Sequence, residues 1–449
     1  MTAPTGPGGW KTLAATGLAL LTALLAGSEA WGQSAGPDGA ALAALKEQYR
    51  RPAAIPAPAD NQLTSERIAL GRRLFAEKRL SANDSVACAS CHDPALAFTD
   101  GTPLGQGVAK TPLRRHTPSL WNLAWSHALF WDGRASSLEE HAQGPIENAA
   151  EMGQPVARGV EKLAADPSYA ADFAKAFGTP PYLTAANLLK ALASFERTLV
   201  SPPTKFDSWI LGDTAALSDS EVRGFLLFNG AAKCNVCHSG WAFTDSAFHD
   251  IGLPGDDLGR GPIIGLRKVD HAFKTPSLRE LLWTAPYMHD GSLSTLEDVL
   301  QHYQTGGIAR PSRSPDMPPV VALSESERND LLAFLATLSS ERPPRPLAQM
   351  STVNGASAGP TATAIATTLV TQKNKSFQPG AVTLQRGEAL TIVNNDTRPH
   401  NVRVFDPRLS FNSGVQEPGD KAVIEFPQAG TFEVFCGIHP NMRLTIEVE

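Results

Sequence analysis

Two stretches decide the reading of this chain: Cys88-Ala89-Ser90-Cys91-His92 and Cys234-Asn235-Val236-Cys237-His238. Around them the sequence repeats itself in order. Gly71-x-x-Leu74-Phe75 returns as Gly224-x-x-Leu227-Phe228, and Ala97-Phe98-Thr99-Asp100 as Ala242-Phe243-Thr244-Asp245. Thr117-Pro118-Ser119-Leu120 returns as Thr275-Pro276-Ser277-Leu278, and Asp132-Gly133 with Ser137-Leu138-Glu139 as Asp290-Gly291 with Thr295-Leu296-Glu297. Leu188, Leu189, Leu192 and Ala193 return as Leu331, Leu332, Leu335 and Ala336. Two copies of one helical unit are the simplest reading of residues 63–340. Helix-start signals agree: Thr64 is placed to cap a helix carrying Leu70, Leu74 and Phe75. Ser218 with Glu221, and Ser324 with Glu327, have capping-box spacing.

CxxCH is what covalent c-type haem requires. Two thiols add to the two vinyl groups, and the adjacent imidazole supplies an axial nitrogen to iron. The competing readings are zinc, which would want four convergent ligands per site, and a structural disulfide, which would not need the histidine. Two occurrences at matching places in a repeat point to two haems, on Cys88, Cys91 and His92 and on Cys234, Cys237 and His238.

Beyond residue 364 the pattern changes to period two. Leu390 and Ile392, then Ala422, Ile424 and Phe426, then Phe432, Val434 and Cys436, then Leu444, Ile446 and Val448 alternate with mostly polar neighbours, which predicts a small all-β domain with one buried face. It ends Cys436-Gly437-Ile438-His439-Pro440-Asn441-Met442, with His400 upstream. One thiolate, two imidazoles and a weak thioether are the ligand set of a type 1 (blue) copper site. The alternative is a buried Cys beside incidental His and Met. The domain resembles the cupredoxins of the amicyanin and pseudoazurin group.

The chain has 449 residues and five cysteines. Haem and copper together use all five, which predicts neither a disulfide nor a free thiol. Acidic residues outnumber basic ones 45 to 39, and no basic block gives electrostatic support to nucleic-acid binding. Lys11 precedes the apolar run Leu13 to Leu25, followed by small residues about Ala30 and Gly32. That reads as a signal peptide over 1–32, hence a periplasmic protein that is not integral to the membrane once cleaved. A retained anchor is the alternative, but the run is short of the ~20 residues a span needs. Residues 33–62 read as a loose leader, and 341–364, rich in Pro, Ala, Ser, Thr and Gly, as a flexible linker.

With both haem motifs in place, residues 63–340 resemble the bacterial diheme cytochrome c peroxidases and their relative MauG. Supporting strings are Phe130-Trp131-Asp132-Gly133-Arg134, Gly144-Pro145-Ile146, Glu151-Met152-Gly153 and Thr284-Ala285-Pro286-Tyr287-Met288-His289-Asp290-Gly291. The resemblance implies a mainly α diheme region of two cytochrome c-like domains, 63–205 with the peroxidatic haem and 206–340 with the electron-transfer haem. A small all-β cupredoxin sandwich over 365–449 follows. It also implies that Glu151 is the distal acid/base group and that Trp131 lies between the haems. His141 stands where the family has a glutamine, and is either a distal residue or a surface helix residue.

The sixth ligand of the second haem is Met in the peroxidases and Tyr in MauG. Counting from His-Asp-Gly, Tyr303 takes that place, with Met288 as competitor. The repeat agrees: thirteen residues after Asp290 is Tyr303, and thirteen after Asp132 is Pro145, which cannot ligate. A phenolate should lower the potential relative to a thioether. Residues 93–115 contain no His to block the first iron, so the site is expected open without reductive activation. Thr284 and Pro286 match the family's calcium ligands, but His116 replaces an asparagine there, and imidazole suits calcium poorly.

Three functions follow as expectations. The first is a periplasmic peroxidase that reduces hydrogen peroxide with electrons passed through its fused copper domain from an external donor. The second is a MauG-like enzyme using peroxide-derived Fe(IV) to oxidise residues of a partner protein substrate. The third is a non-catalytic electron carrier or redox sensor, disfavoured by Glu151 and by the Pro145/Tyr303 asymmetry.

Overall fold

The computed structural model describes residues 39–317, 322–341 and 365–449, apart from 367–368, 387, 407–408, 427, 437–438 and 440. The expected signal peptide over 1–32 and nearly all of the expected linker over 341–364 lie outside the described residues. Among those described, no helix is long and apolar enough to cross a membrane.

The internal repeat is realised in three dimensions. In the first copy helix Ser65–Phe75 crosses helix Ala185–Arg197, and in the second Asp219–Asn229 crosses Glu325–Ala336. The repeated glycines sit at these crossings. A Cβ on Gly71 would stand 1.9 Å from the Ala191 carbonyl oxygen, and one on Gly224 2.0 Å from that of Asp330. Only a bare Cα lets the helices approach so closely. The expected caps form: Thr64 Oγ1 accepts from Arg67 N, and Ser218/Glu221 and Ser324/Glu327 close capping boxes.

Among the described residues of the leader, Tyr49 and Arg51 are packed rather than loose. Helix Gly39–Glu47 precedes them. Tyr49, 1% exposed, sets its ring against Phe206, Phe225 and Phe243, and its hydroxyl donates to Asn229. Arg51 donates to Ser201 O, Pro202 O and Asp207. The polar, Pro-rich composition around them concealed these two anchors.

The C-terminal domain is a two-sheet sandwich. One sheet runs Lys421–Glu425, Ala389–Asn394, Leu369–Lys373, Ser376–Gln378. The other runs Ile365–Ala366, Ala381–Leu384, Arg443–Val448, Gly430–Phe435, His400–Asp406, Leu409–Gln416. The period-two apolar residues meet between the sheets, with Leu390, Ile392, Ile424, Val434, Leu444 and Ile446 all buried in one core.

Candidate haem and copper sites

Each CxxCH begins a short helical turn, Cys88–Cys91 and Cys234–Val236. What orients the axial histidines is the second repeated string. His92 Nδ1 donates to Phe98 O at 2.8 Å, and His238 Nδ1 to Phe243 O at 2.9 Å. Fixing Nδ1 as the donor leaves Nε2 free to ligate. The two phenylalanines adopt positive φ, 61° and 54°, which turns their carbonyls towards the imidazoles. The third repeated string holds the second in place: Ser119 Oγ donates to Ala97 O at 2.6 Å, and Ser277 Oγ to Ala242 O at 2.7 Å. Burial pushes both imidazoles down, His92 to about 4, so they stay neutral as iron ligands must be.

A largely apolar cavity of about 300 Å³ runs past Cys234, Cys237, His238, Met288 and Tyr303 at one end and past Trp131 and His141 at the other. Buried nitrogens that line it, Trp121 Nε1 and Arg279 Nη2, have no protein partner. The Arg279 guanidinium, paired with Asp207 through Nη1, keeps Nη2 unspent, and an apolar cleft with such a donor at its wall fits a haem with its propionates, so the residues present suit the group.

The units meet at Trp131. Its indole Nε1 donates to His116 O at 2.8 Å, its carbonyl accepts from Lys274 N at 2.8 Å, and His116 N donates to His289 O. Arg115 bridges the same seam, paired with Asp132 of the first unit and Asp257 of the second. Burial raises the Asp257 carboxyl, but the Arg115 hydrogen bonds outweigh it and hold it at about 2.

Pro145 and Tyr303 occupy the same place in equivalent helices, Leu138–Glu147 and Leu296–Thr305. Tyr303 lies in the cavity near Cys234 and Cys237, and burial raises its hydroxyl pKa. Met288 lines the same wall. Glu151 follows the Pro145 helix. Its carboxyl accepts from Asn148 Nδ2 at 2.6 Å, and burial raises its pKa against the pull of Asn148, Arg134 and His141. His141 is buried, at 6% exposure, which removes the surface-helix alternative. Its ring lies 4.5 Å from that of Phe130, and its Nδ1 is 3.6 Å from Glu196.

Thr284 and Pro286 both line the cavity wall, and the Thr284 hydroxyl donates to Leu281 O. His116, at the same seam, spends its Nδ1 on Thr102 O.

In the sandwich, His400 Nδ1, Cys436 Sγ and His439 Nδ1 lie within 4.8 Å of one another, all buried. The sulfur accepts from two backbone amides, those of Asn401 at 3.4 Å and His439 at 3.3 Å, the pattern that stabilises a thiolate. Met442 is 1% exposed and its carbonyl accepts from Cys436 N, which closes the ligand loop. Burial lowers the pKa of both imidazoles, and Asp396 fixes His400 through Nε2 at 3.0 Å. The Nδ1 atoms of the two histidines stand 3.0 Å apart. This donor set suits a soft, tetrahedrally inclined ion such as copper. A ladder irregularity between Asn401 and Arg403 follows directly on His400.

Several supporting residues escaped the sequence reading. Asn148, Asp396 and Glu196 act by contact across turns or between helices, and none carries a spacing signal. The role of the repeated Ala-Phe-Thr-Asp could have been found, since its recurrence just after each CxxCH already asked for one.

The fold and sites define a diheme oxidoreductase joined to a cupredoxin-like domain. The chain belongs to the diheme cytochrome c peroxidase/MauG family. Residues 65–215 match the di-haem cytochrome c peroxidase family and 332–448 the cupredoxin-like domain. It is 50% identical over 303 residues to methylamine utilization protein MauG of Methylorubrum extorquens, covering 67% of this chain and 86% of that protein. It is 34% identical to cytochrome c551 peroxidase of Nitrosomonas europaea, over 61% of this chain and 80% of that one. Among solved structures, a MauG-like protein associated with microbial copper homeostasis superposes with a TM-score of 0.61 at 33% identity, over 65% of this chain and 95% of that one.

Proposed function

We propose that this is a periplasmic diheme peroxidase that reduces hydrogen peroxide with electrons drawn through its fused type 1 copper domain. The observation that carries the reading is the asymmetry between matched helices: Pro145, which cannot ligate, beside the half-buried acid Glu151 in one unit, and Tyr303 in the other. Bound haem supplies the redox chemistry of O–O cleavage, and bound copper a one-electron relay. The rest falls to side chains. Glu151 takes a proton from one peroxide oxygen and returns it to the leaving one, a task suited to a carboxyl whose pKa burial has raised towards working pH. Asn148 holds that carboxyl in place, and His141 and Arg134 set the field around it. Trp131 spans the seam between the units, where an indole can pass an electron or a hole. His92 and His238 are the proximal ligands and Tyr303 the closing ligand of the second haem. His400, Cys436, His439 and Met442 hold the copper. Calcium at Thr284 and Pro286 is not required by this reading, since His116 replaces an oxygen donor there.

The tether over 341–364 keeps the donor at a local concentration of ~mM. A MauG-like oxidation of a partner protein is the second reading, favoured by Tyr303 and by the identity with MauG. The experiment that separates them mixes copper-reduced protein with hydrogen peroxide and follows both chromophores. Repeated copper oxidation coupled to peroxide loss is expected. A long-lived oxidised diheme species that ignores reduced copper would replace the first reading by the second, and no reaction with peroxide would overturn both.

A further inference from the structure

The copper-ligand loops of the sandwich rest on an acidic face of the second haem unit. At its centre is Asp316, only 7% exposed. Arg398 forms an ion pair with it, Lys375 Nζ lies 3.5 Å from its carboxylate, and His439 Nε2 lies 4.0 Å away. Asp245 stands beside it. Its carboxylate takes Lys375 at 3.4 Å, and its backbone oxygen accepts from the Asn441 side chain. Arg398 is two residues before His400, and Asn441 lies inside the Cys436–Met442 loop, so the copper end of the sandwich is the end that docks.

Contact continues inward to the haem attachment. His249 bridges the two acids, with Nε2 3.0 Å from Asp245 and Nδ1 3.9 Å from Asp316. The ligand atoms of His249, Asp245 and Cys237 lie within 4.8 Å of one another, and Asp245 N donates to Cys237 O at 2.8 Å. Cys237 is one of the two residues that would carry the second haem.

We propose that Asp316 and Asp245 form a docking socket for this chain's own cupredoxin domain, holding copper ligand His439 against the thioether edge of the second haem. The inference rests on the reading of the cupredoxin as donor. A buried and a largely buried carboxylate facing two cations fix one geometry, because withdrawing the cations strands the Asp316 charge in a buried site. With both groups bound, copper would supply one electron per transfer to the second haem, and two such electrons with two protons would account for the conversion of one hydrogen peroxide to two waters. Asp316, Asp245, Lys375 and Arg398 are positioning residues in this scheme.

The test uses the full-length holoprotein and the Lys375→Glu/Arg398→Glu variant, with Asp316→Asn attacking the same contact from the haem side. Copper absorption reports that the sandwich remains folded. Solution scattering reads docking, and rapid photoreduction reads the copper-to-haem transfer rate. The expected result is a compact wild-type particle, a measurably expanded charge-reversed variant, and a transfer rate at least tenfold lower in both variants. Scattering and transfer unchanged in both variants would overturn the socket. Docking lost on charge reversal, in a wild-type protein that passes no electron from copper to haem, would keep the socket and overturn the donor reading instead.

Discussion

The two haem units share a set of repeated contacts and differ, among other places, at one matched helix position. In both, a repeated Phe carbonyl orients the axial His, a repeated Ser holds the preceding Ala carbonyl, and a repeated Gly lets two helices cross. At the matched position of helices Leu138–Glu147 and Leu296–Thr305, one carries Pro145 and the other Tyr303. Duplication kept the contacts that hold each CxxCH histidine and changed the residue at this matched helix position.

The largest effect on this contrast should come from Glu151→Gln. Removing the proton carrier of the open unit should slow peroxide cleavage by about 10²–10⁴-fold while leaving both haem spectra intact, as stopped-flow mixing would measure. An unchanged rate would strip Glu151 of its role. Tyr303→Met should make the second unit peroxidase-like and raise its haem's reduction potential, read in a spectroelectrochemical titration as an upward move of one of two steps. A lowered or unmoved potential would show that Tyr303 is not the ligand.

The shared wiring makes its own demand. Gly71→Ala and Gly224→Ala should each cost about 1–3 kcal/mol of stability by forcing a Cβ into a backbone carbonyl, seen as a lower midpoint in thermal or denaturant melts. If only one is destabilising, the two crossings are not equivalent.

Smaller effects are expected with pH. Proton abstraction needs Glu151 ionised, and burial raises its pKa, so kcat/KM should rise with pH through a value above the usual ~4.3, and Glu151→Gln should lose that limb. At the seam, Asp257 is held at about 2, below an unfolded value of ~3.9. Its contribution to stability is present above the higher value and lost as pH falls through the lower, so Arg115→Gln should flatten that part of an acid-unfolding curve.

Much of this was legible because duplication doubles every signal. Cys88, Cys91 and His92 would be one motif alone, but paired with Cys234, Cys237 and His238 they fixed the repeat and so the matched positions of Pro145 and Tyr303. The cluster of His400, Cys436 and His439 was legible because Cys436, His439 and Met442 fall within seven residues. Contacts that cross between elements were not. Nothing in the spacing of Asp316, Asp245 and Lys375 announces that they meet, and Tyr49 lay hidden in a segment whose composition suggests a loose leader. His141 stood undecided between surface and cavity, since about half a turn of helix separates the two faces and only the packing of Phe130 and Glu196 fixes which one it takes.

The central claim is that one haem is open and the other closed by Tyr303. Electron paramagnetic resonance of the ferric holoprotein tests it most directly. The account predicts one high-spin, five-coordinate haem that binds added cyanide and one low-spin haem that does not, with the low-spin signal altered in Tyr303→Phe and the high-spin signal untouched. Two low-spin haems, or a low-spin signal indifferent to Tyr303, would contradict it.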